Sequence, residues 1–148
     1  MERILLTLVF LPLVVGFVML FVPNLFKSLS KLVTLVISAF ALVLSIRVFG
    51  AVARSVPCVS EWPLLHIGQF KLDLLLRATS LNSFILIFAM LFGLLITLYS
   101  LRSMAGAKRL NEYYGAILLT IGGSAGILLS NHLLFLLIFW EIVTVSLY

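Results

Sequence analysis

The sequence predicts an all-α integral membrane protein with about five transmembrane helices and a small outer β-hairpin. Of its 148 residues, 64% are hydrophobic and 10% are charged, whereas a soluble domain is about half apolar and a quarter charged. Five spans of roughly 20 residues each use about two-thirds of the chain, which leaves no room for a water-soluble catalytic domain. We therefore expect residues 1–148 to form one membrane domain.

Five apolar segments are predicted to span the membrane. The first is uncharged, is too long for the core of a signal peptide and lacks a small-residue cleavage site. A helix made of the last segment reaches only about 24 Å, less than a hydrocarbon core of roughly 30 Å. We therefore expect either that the chain is a piece of a longer one or that another subunit caps it. The predicted spans are residues 4–22, 32–49, 81–98, 113–129 and 133–148.

The segment between the second and third spans predicts a β-hairpin on the membrane surface. Residues 70–74 alternate between apolar and polar side chains, as in a strand, and residues 62–66 are the expected partner. Gly68 and Gln69 form the expected turn. A single hairpin is only marginally stable in water, so we expect it to rest on another part of the protein.

The charged residues indicate topology rather than nucleic-acid binding. Ten Lys and Arg face five Asp and Glu, a net charge of +5, and most of the basic residues flank the spans. They are denser in residues 23–31 and 100–112 than in the other connecting segments. The positive-inside rule therefore favours an N-terminus outside the membrane.

No cofactor site is expected in this chain. Its one cysteine, Cys58, permits no internal disulfide, and no Cys or His spacing is typical of a metal ion or an iron–sulfur cluster. A P-loop and a GxGxxG motif are also absent from the sequence. Any redox centre must therefore belong to a partner subunit.

The fourth predicted span is rich in small residues. Gly122 and Gly126 are four residues apart, the spacing that lets two membrane helices approach closely. We interpret these glycines as helix-packing positions rather than as ligands.

Glu141 is the residue best suited to chemistry. It lies eight residues after Leu133 in an otherwise apolar run, about 12 Å into the membrane at 1.5 Å per residue. An ionised carboxylate in hydrocarbon is costly, so Glu141 should face protein or water. A group that holds or releases a proton at that depth is what a proton relay requires. The alternative is a protonated Glu that only holds helices together.

Three further polar residues are candidates for proton translocation. Thr144 and Tyr148 follow Glu141 by three and seven residues, so they are predicted to share its face and to bond it or a water chain. His132, at the mouth between the fourth and fifth spans, could pass protons or could be an ordinary interfacial residue.

The sequence resembles the start of the antiporter-like membrane subunits. The resemblance rests on the run from Arg109 to Tyr114, the glycine-rich span, the Ser130-Asn131-His132 segment and Phe139-Trp140-Glu141. Subunits of this family occur in respiratory complex I, in Mrp cation/proton antiporters and in group 4 membrane-bound hydrogenases. The resemblance covers essentially the whole chain and about the first third of a fourteen-helix member.

The resemblance implies proton or sodium translocation driven by a redox reaction, in a prokaryotic plasma membrane. In the family, the glutamate matched by Glu141 pairs with a lysine on the seventh helix, which this sequence does not reach. Thr79 stands where many members carry an aspartate at the entry to the third span. The implied partners are lipid, peripheral redox subunits that hold iron–sulfur clusters, and other membrane subunits that supply the missing helices and a buried lysine.

Two functions follow from these observations. The first is a membrane subunit, or the N-terminal fragment of a split subunit, that contributes to ion translocation in a complex-I-like or hydrogenase-like complex. The second is a structural adaptor that anchors larger membrane subunits without transporting ions. A partner helix with a central lysine would favour the first function.

Overall fold

The structure, a computed structural model, describes residues 2–21, 27–67, 70–104 and 109–148. The described residues form five helices and one two-stranded antiparallel sheet between the second and third helices, which confirms the predicted fold class. The helices are α1 (Glu2–Phe21), α2 (Lys27–Ala53), α3 (Ser80–Ser103), α4 (Leu110–Leu129) and α5 (Leu133–Leu147), and the strands are β1 (Cys58–Ile67) and β2 (Phe70–Ala78).

Four of these helices, α1 to α4, are long and apolar enough to cross a membrane, and α5 is a shorter apolar helix of 15 residues. The helices α2 and α3 extend several residues beyond the apolar runs that predicted them. Backbone hydrogen bonding continues past the edge of an apolar run until a stop signal ends the helix. Apolar runs therefore located the helices but not their ends.

The stop signal of α2 is a left-handed residue, Ser55, with a φ of 58°. Its N–H bonds the carbonyl of Val52, and the N–H of Val56 bonds the carbonyl of Ala51. This pair of bonds is the Schellman motif, which satisfies the last carbonyls of a helix. Pro57 follows and directs the chain into the hairpin.

The start signal of α3 is a capping box at Thr79. Its hydroxyl accepts from the N–H of Asn82, and the Asn82 side chain accepts from the N–H of Thr79. Asparagine and aspartate are as good as threonine at such a position. The N-terminus of α3 therefore has its cap in Thr79, and an aspartate at this position would cap it equally well.

The hairpin is longer than predicted and, as expected, rests on the helices. Its strands extend to a first pair between Cys58 and Ala78, with an irregularity between Pro63 and Leu65. Leu74 and Leu76 are buried in a cluster with residues of α1, α2, α4 and α5. The expected turn at residues 68–69 lies outside the described residues. The missed end of β2 follows Leu74 with Leu75 and Leu76, and this run does not alternate between apolar and polar side chains.

The centre of the helical layer is α4, which contacts all four other helices. A Cβ on Gly122 would lie 2.9 Å from the Val9 carbonyl oxygen of α1, and one on Gly126 would lie 2.5 Å from the Phe139 ring of α5. The predicted packing role of these two glycines is confirmed. Because α1 and α5 lie on different sides of α4, an open groove remains between them.

Candidate ion-exchange site on α5

The position of Glu141 is fixed by how α5 packs on α4. Phe135 and Phe139 are the buried residues of α5. The ring of Phe139 lies over Gly126, and Val143 contacts the face of Gly123. Glu141 lies on another side of α5 and is exposed in the chain.

The open space beside Glu141 is a groove of about 810 Å³ between α1, α4 and α5, which we call the Glu141 groove. Its lining is almost entirely apolar, and Glu112, Glu141 and Ser146 are its polar members. The apolar residues that line it are Phe10, Leu13, Val14, Phe17, Val18, Leu20, Ala116, Leu119, Ile142 and Val145.

Glu141 has no hydrogen-bond or ion-pair partner within the described part of the chain. A carboxylate that faces apolar side chains without a donor or a cation is unfavourable. In an apolar environment the side chain therefore needs a partner that lies outside the described chain.

A hydroxyl pair joins α4 to α5 beside the groove, and sequence reasoning missed it. Thr120 and Ser146 are hydrogen-bonded at 2.9 Å between their hydroxyl oxygens. Ser146 lines the Glu141 groove, five residues from Glu141 and therefore about 7.5 Å along the helix. The pairing depends on the register between two antiparallel helices, which the sequence alone does not reveal.

Glu112 is a second acid in the same groove, in the first turn of α4. It is half-exposed, and its carboxylate lies 3.3 Å from the guanidinium of Arg109. Thr120 is two turns of α4 further on, about 12 Å away. Glu112 therefore lies near one end of α4, whereas Thr120, the partner of Ser146 of α5, lies near the middle of α4.

Thr144 and Tyr148 are not brought to the Glu141 groove. Both line a separate space of about 420 Å³ beside Ile127 and Trp140. The Thr144 hydroxyl donates to the carbonyl of Trp140 in its own helix at 3.0 Å. Their predicted support of Glu141 stays a prediction, and within the described chain no contact joins them to that carboxylate.

His132 occupies the N-cap of α5, and its ring Nδ1 accepts from the N–H of Leu134 at 3.3 Å. The neighbouring N–H of Asn131 donates to the Leu75 carbonyl of the hairpin. The structure therefore gives His132 a helix-capping role, and its predicted role in passing protons stays a prediction.

The described residues contain no cluster of three or more His, Cys, Asp or Glu that could hold a metal ion. Cys58 is buried at the start of β1, and burial raises the pKa of its thiol. A thiol that is harder to deprotonate is a poorer nucleophile and a poorer metal ligand.

Known proteins are similar to this chain both in sequence and in fold. The chain is 35% identical over 81 residues, or 55% of its length, to the Na(+)/H(+) antiporter subunit A1 of Staphylococcus haemolyticus (strain JCSC1435). Its fold matches a chain of the archaeal membrane-bound sulfane sulfur reductase (MBS), a respiratory membrane complex, with a TM-score of 0.71 and 25% identity over 97% of this chain. No protein-family model matches the sequence.

The chain is much shorter than either relative. It covers 10% of the antiporter subunit and 21% of the matched chain of the archaeal complex. The predicted resemblance to antiporter-like subunits of complex-I-like membrane complexes is confirmed by one relative in sequence and by another in fold. The chain is therefore similar to part of an antiporter subunit and to part of a respiratory membrane complex.

Proposed function

We propose that this chain is an ion-translocating membrane subunit, or the N-terminal part of one, in a redox-driven complex of the prokaryotic plasma membrane, and that Glu141 is its proton-exchanging carboxyl. The observation that carries the proposal is the position of Glu141 on a short apolar helix, facing an apolar groove, without a partner in the described chain. Similarity to an antiporter subunit and to a respiratory complex supports it.

The proposal is supported because a purely structural role explains Glu141 less well. Helix association needs no carboxyl at this position, because Phe139 and Val143 already pack on Gly126 and Gly123. An ionised group within an apolar helix is rare unless it has a function and a partner. The groove is open on its outer side, so a helix of another membrane subunit can supply that partner as a lysine.

The electron-transfer chemistry is proposed to belong to other subunits, with iron–sulfur clusters in peripheral partners. The transported ion is a proton or a sodium ion, and the N-terminus is proposed to face outward because basic residues are denser on the other side. His132 is proposed as a secondary position along the ion path, whereas Thr144 and Tyr148, which line a separate space from Glu141, are proposed to have at most a minor part in it.

The decisive experiment replaces Glu141 with glutamine in the assembled complex, reconstituted in vesicles. Glu141→Gln keeps the shape of the side chain but cannot exchange a proton. Losing a positioned acid–base group costs about 100-fold in typical reactions. We therefore expect ion translocation to fall at least about tenfold. Electron transfer is measured in the same vesicles with an uncoupler and should be retained.

The matched control is Glu112→Gln, the same substitution in the same groove. Glu112 is half-exposed and already paired with Arg109, so translocation should change much less. If both variants pump at the wild-type rate, Glu141 has no transport role and the structural-adaptor function is favoured. Equal losses in the two variants would also contradict the proposal, because the effect would then belong to the groove as a whole.

A further inference from the structure

The N-cap of α5 is an imidazole, the side chain whose charge ordinarily changes between about pH 5 and pH 8. The ring Nδ1 of His132 accepts a hydrogen bond from the N–H of Leu134 at 3.3 Å. The usual N-cap residues are serine, threonine, aspartate and asparagine, whose side-chain oxygens stay acceptors throughout that range. An imidazole nitrogen accepts only while it carries no proton. The cap of α5 therefore depends on the protonation state of one ring.

The backbone of His132 is held independently of its ring. Its carbonyl accepts from the Ser130 hydroxyl at 3.0 Å and from the N–H of Leu136 at 3.0 Å. The preceding residue, Asn131, donates its N–H to the Leu75 carbonyl of β2 at 2.9 Å. None of these bonds uses the imidazole. The ring can therefore change its hydrogen bonding while the N-cap residue keeps its place.

An aromatic contact keeps the imidazole beside the first turn of α5. The rings of His132 and Phe135 meet edge-to-face, with 5.7 Å between their centroids. Phe135 is itself one of the two buried residues of the helix. A protonated ring would therefore hold its positive charge close to the N-terminus of α5. The helix dipole is positive at that end, so the charge would be unfavourable there.

Within the described part of the chain, His132 forms no ion pair that would offset a charge on its ring. On α5 the nearest charged residue is Glu141, nine residues or about 13.5 Å along the helix. The neighbouring elements at this end carry residues of both signs, so they do not select one form of the ring. Their titratable and charged residues are Glu2 and Arg3 of α1, Glu61 and His66 of β1, and Lys71, Asp73 and Arg77 of β2.

We propose that His132 is a pH-sensitive cap, whose neutral ring holds the first turn of α5 and whose protonation releases it. The protonated ring no longer accepts, so the N–H of Leu134 loses its partner. The helix has little to compensate for that loss, because it is 15 residues long and its buried residues are Phe135 and Phe139. The cap bond is therefore present above the range in which histidine titrates and is lost as the pH falls through it.

The inference goes beyond the proposed function, because a pH-sensitive cap does not require ion transport by Glu141. It concerns the end of α5 beside the hairpin, where Asn131 bonds β2. Under the proposed orientation this end faces the outer compartment, so the cap would respond to the pH there. Only this assignment of sides rests on the proposed function.

The test is amide hydrogen–deuterium exchange of the full chain in its assembled complex, at about pH 8 and about pH 5. Each exchange rate is divided by that of the same unstructured peptide at the same pH, which gives a protection factor. We expect the protection of Leu134 to fall about fivefold to tenfold at the lower pH, as expected for a lost cap and an unfavourable charge at a helix N-terminus. The amide of Asn82, which the Thr79 hydroxyl caps, is the internal control and should keep its protection.

Two variants identify the group that titrates. His132→Asn keeps a capping side chain that does not titrate in this range, so Leu134 should be equally protected at both pH values. His66→Asn replaces the other of the two histidines and should retain the wild-type response. The inference is overturned if Leu134 shows no response in the wild type, if Asn82 responds equally, or if His132→Asn still responds. None of these results bears on translocation by Glu141→Gln, so the two proposals fail separately.

Discussion

The helices α4 and α5 are adjacent and both apolar, yet they are packed very differently. The side chains of α4 are buried towards all four other helices, whereas α5 buries Phe135 and Phe139 and exposes most of its remaining residues. Polar residues at the buried positions of α4 are therefore enclosed by the chain itself. Polar residues on the exposed side of α5 face whatever surrounds the protein.

Asn111 of α4 and Glu141 of α5 illustrate the difference. Asn111 is fully buried and accepts a hydrogen bond from Ser30 that joins two helices. Glu141 is exposed and has no partner within the described chain. The first arrangement serves stability and the second leaves a carboxyl available for exchange. Asn111 of α4 therefore stabilises the fold, whereas the proposed proton exchange belongs to Glu141 of α5.

The largest effect on stability is expected at Gly122, where α4 packs directly against the backbone of α1. A Cβ on Gly122 would lie 2.7 Å from Leu13 Cγ and 2.9 Å from the Val9 carbonyl oxygen, so Gly122→Ala requires α1 and α4 to separate. We expect a loss of about 2–3 kcal/mol in the free energy of unfolding, typical of overpacking. Thermal unfolding of the purified protein measures it.

The control for this prediction is Gly50→Ala. A Cβ on Gly50, in α2, would meet nothing within 4 Å. Alanine is the better helix former, by about 1 kcal/mol in an exposed helix interior. The variant should therefore be as stable as the wild type or more stable. Equal losses at both positions would show that the close approach of α1 and α4 is not what limits stability.

The next prediction sets the two polar residues directly against each other. Asn111→Ala removes a buried hydrogen bond between α2 and α4 and should cost about 1–3 kcal/mol of unfolding free energy. Glu141→Ala should leave the stability of the full chain within about 0.5 kcal/mol, as for an exposed residue. Chemical or thermal unfolding of the two variants tests the contrast. A larger loss for Glu141→Ala would reverse it.

A smaller effect is expected at the capping box of α3. Thr79→Ala removes the hydroxyl that accepts from Asn82 and should cost about 1 kcal/mol. Thr79→Asp provides an equivalent acceptor and should retain most of the stability. If Thr79→Asp is as unstable as Thr79→Ala, the cap does not explain why threonine stands here.

The sequence predicted the helices, the hairpin and the packing role of Gly122 because composition and local spacing determine them. It did not predict the Thr120–Ser146 pair or the shared groove of Glu112 and Glu141. Those features depend on the register and rotation of antiparallel helices, which local patterns in the sequence do not determine. The structure places Thr144 beside a space separate from the Glu141 groove, and its predicted support of Glu141 stays a prediction.

The smallest effect is expected for Thr144→Val. This variant tests whether a position three residues from Glu141 matters when its side chain does not contact Glu141. The Thr144 hydroxyl bonds the Trp140 carbonyl and lines a different space from Glu141. Removing it should therefore change ion translocation in vesicles by less than about twofold, or about 0.4 kcal/mol in activation free energy. Ser146→Ala, at the edge of the Glu141 groove, is the comparison and should have the larger effect. A tenfold loss in Thr144→Val alone would mean that the ion path runs along the other side of α5, between Ile127 and Trp140.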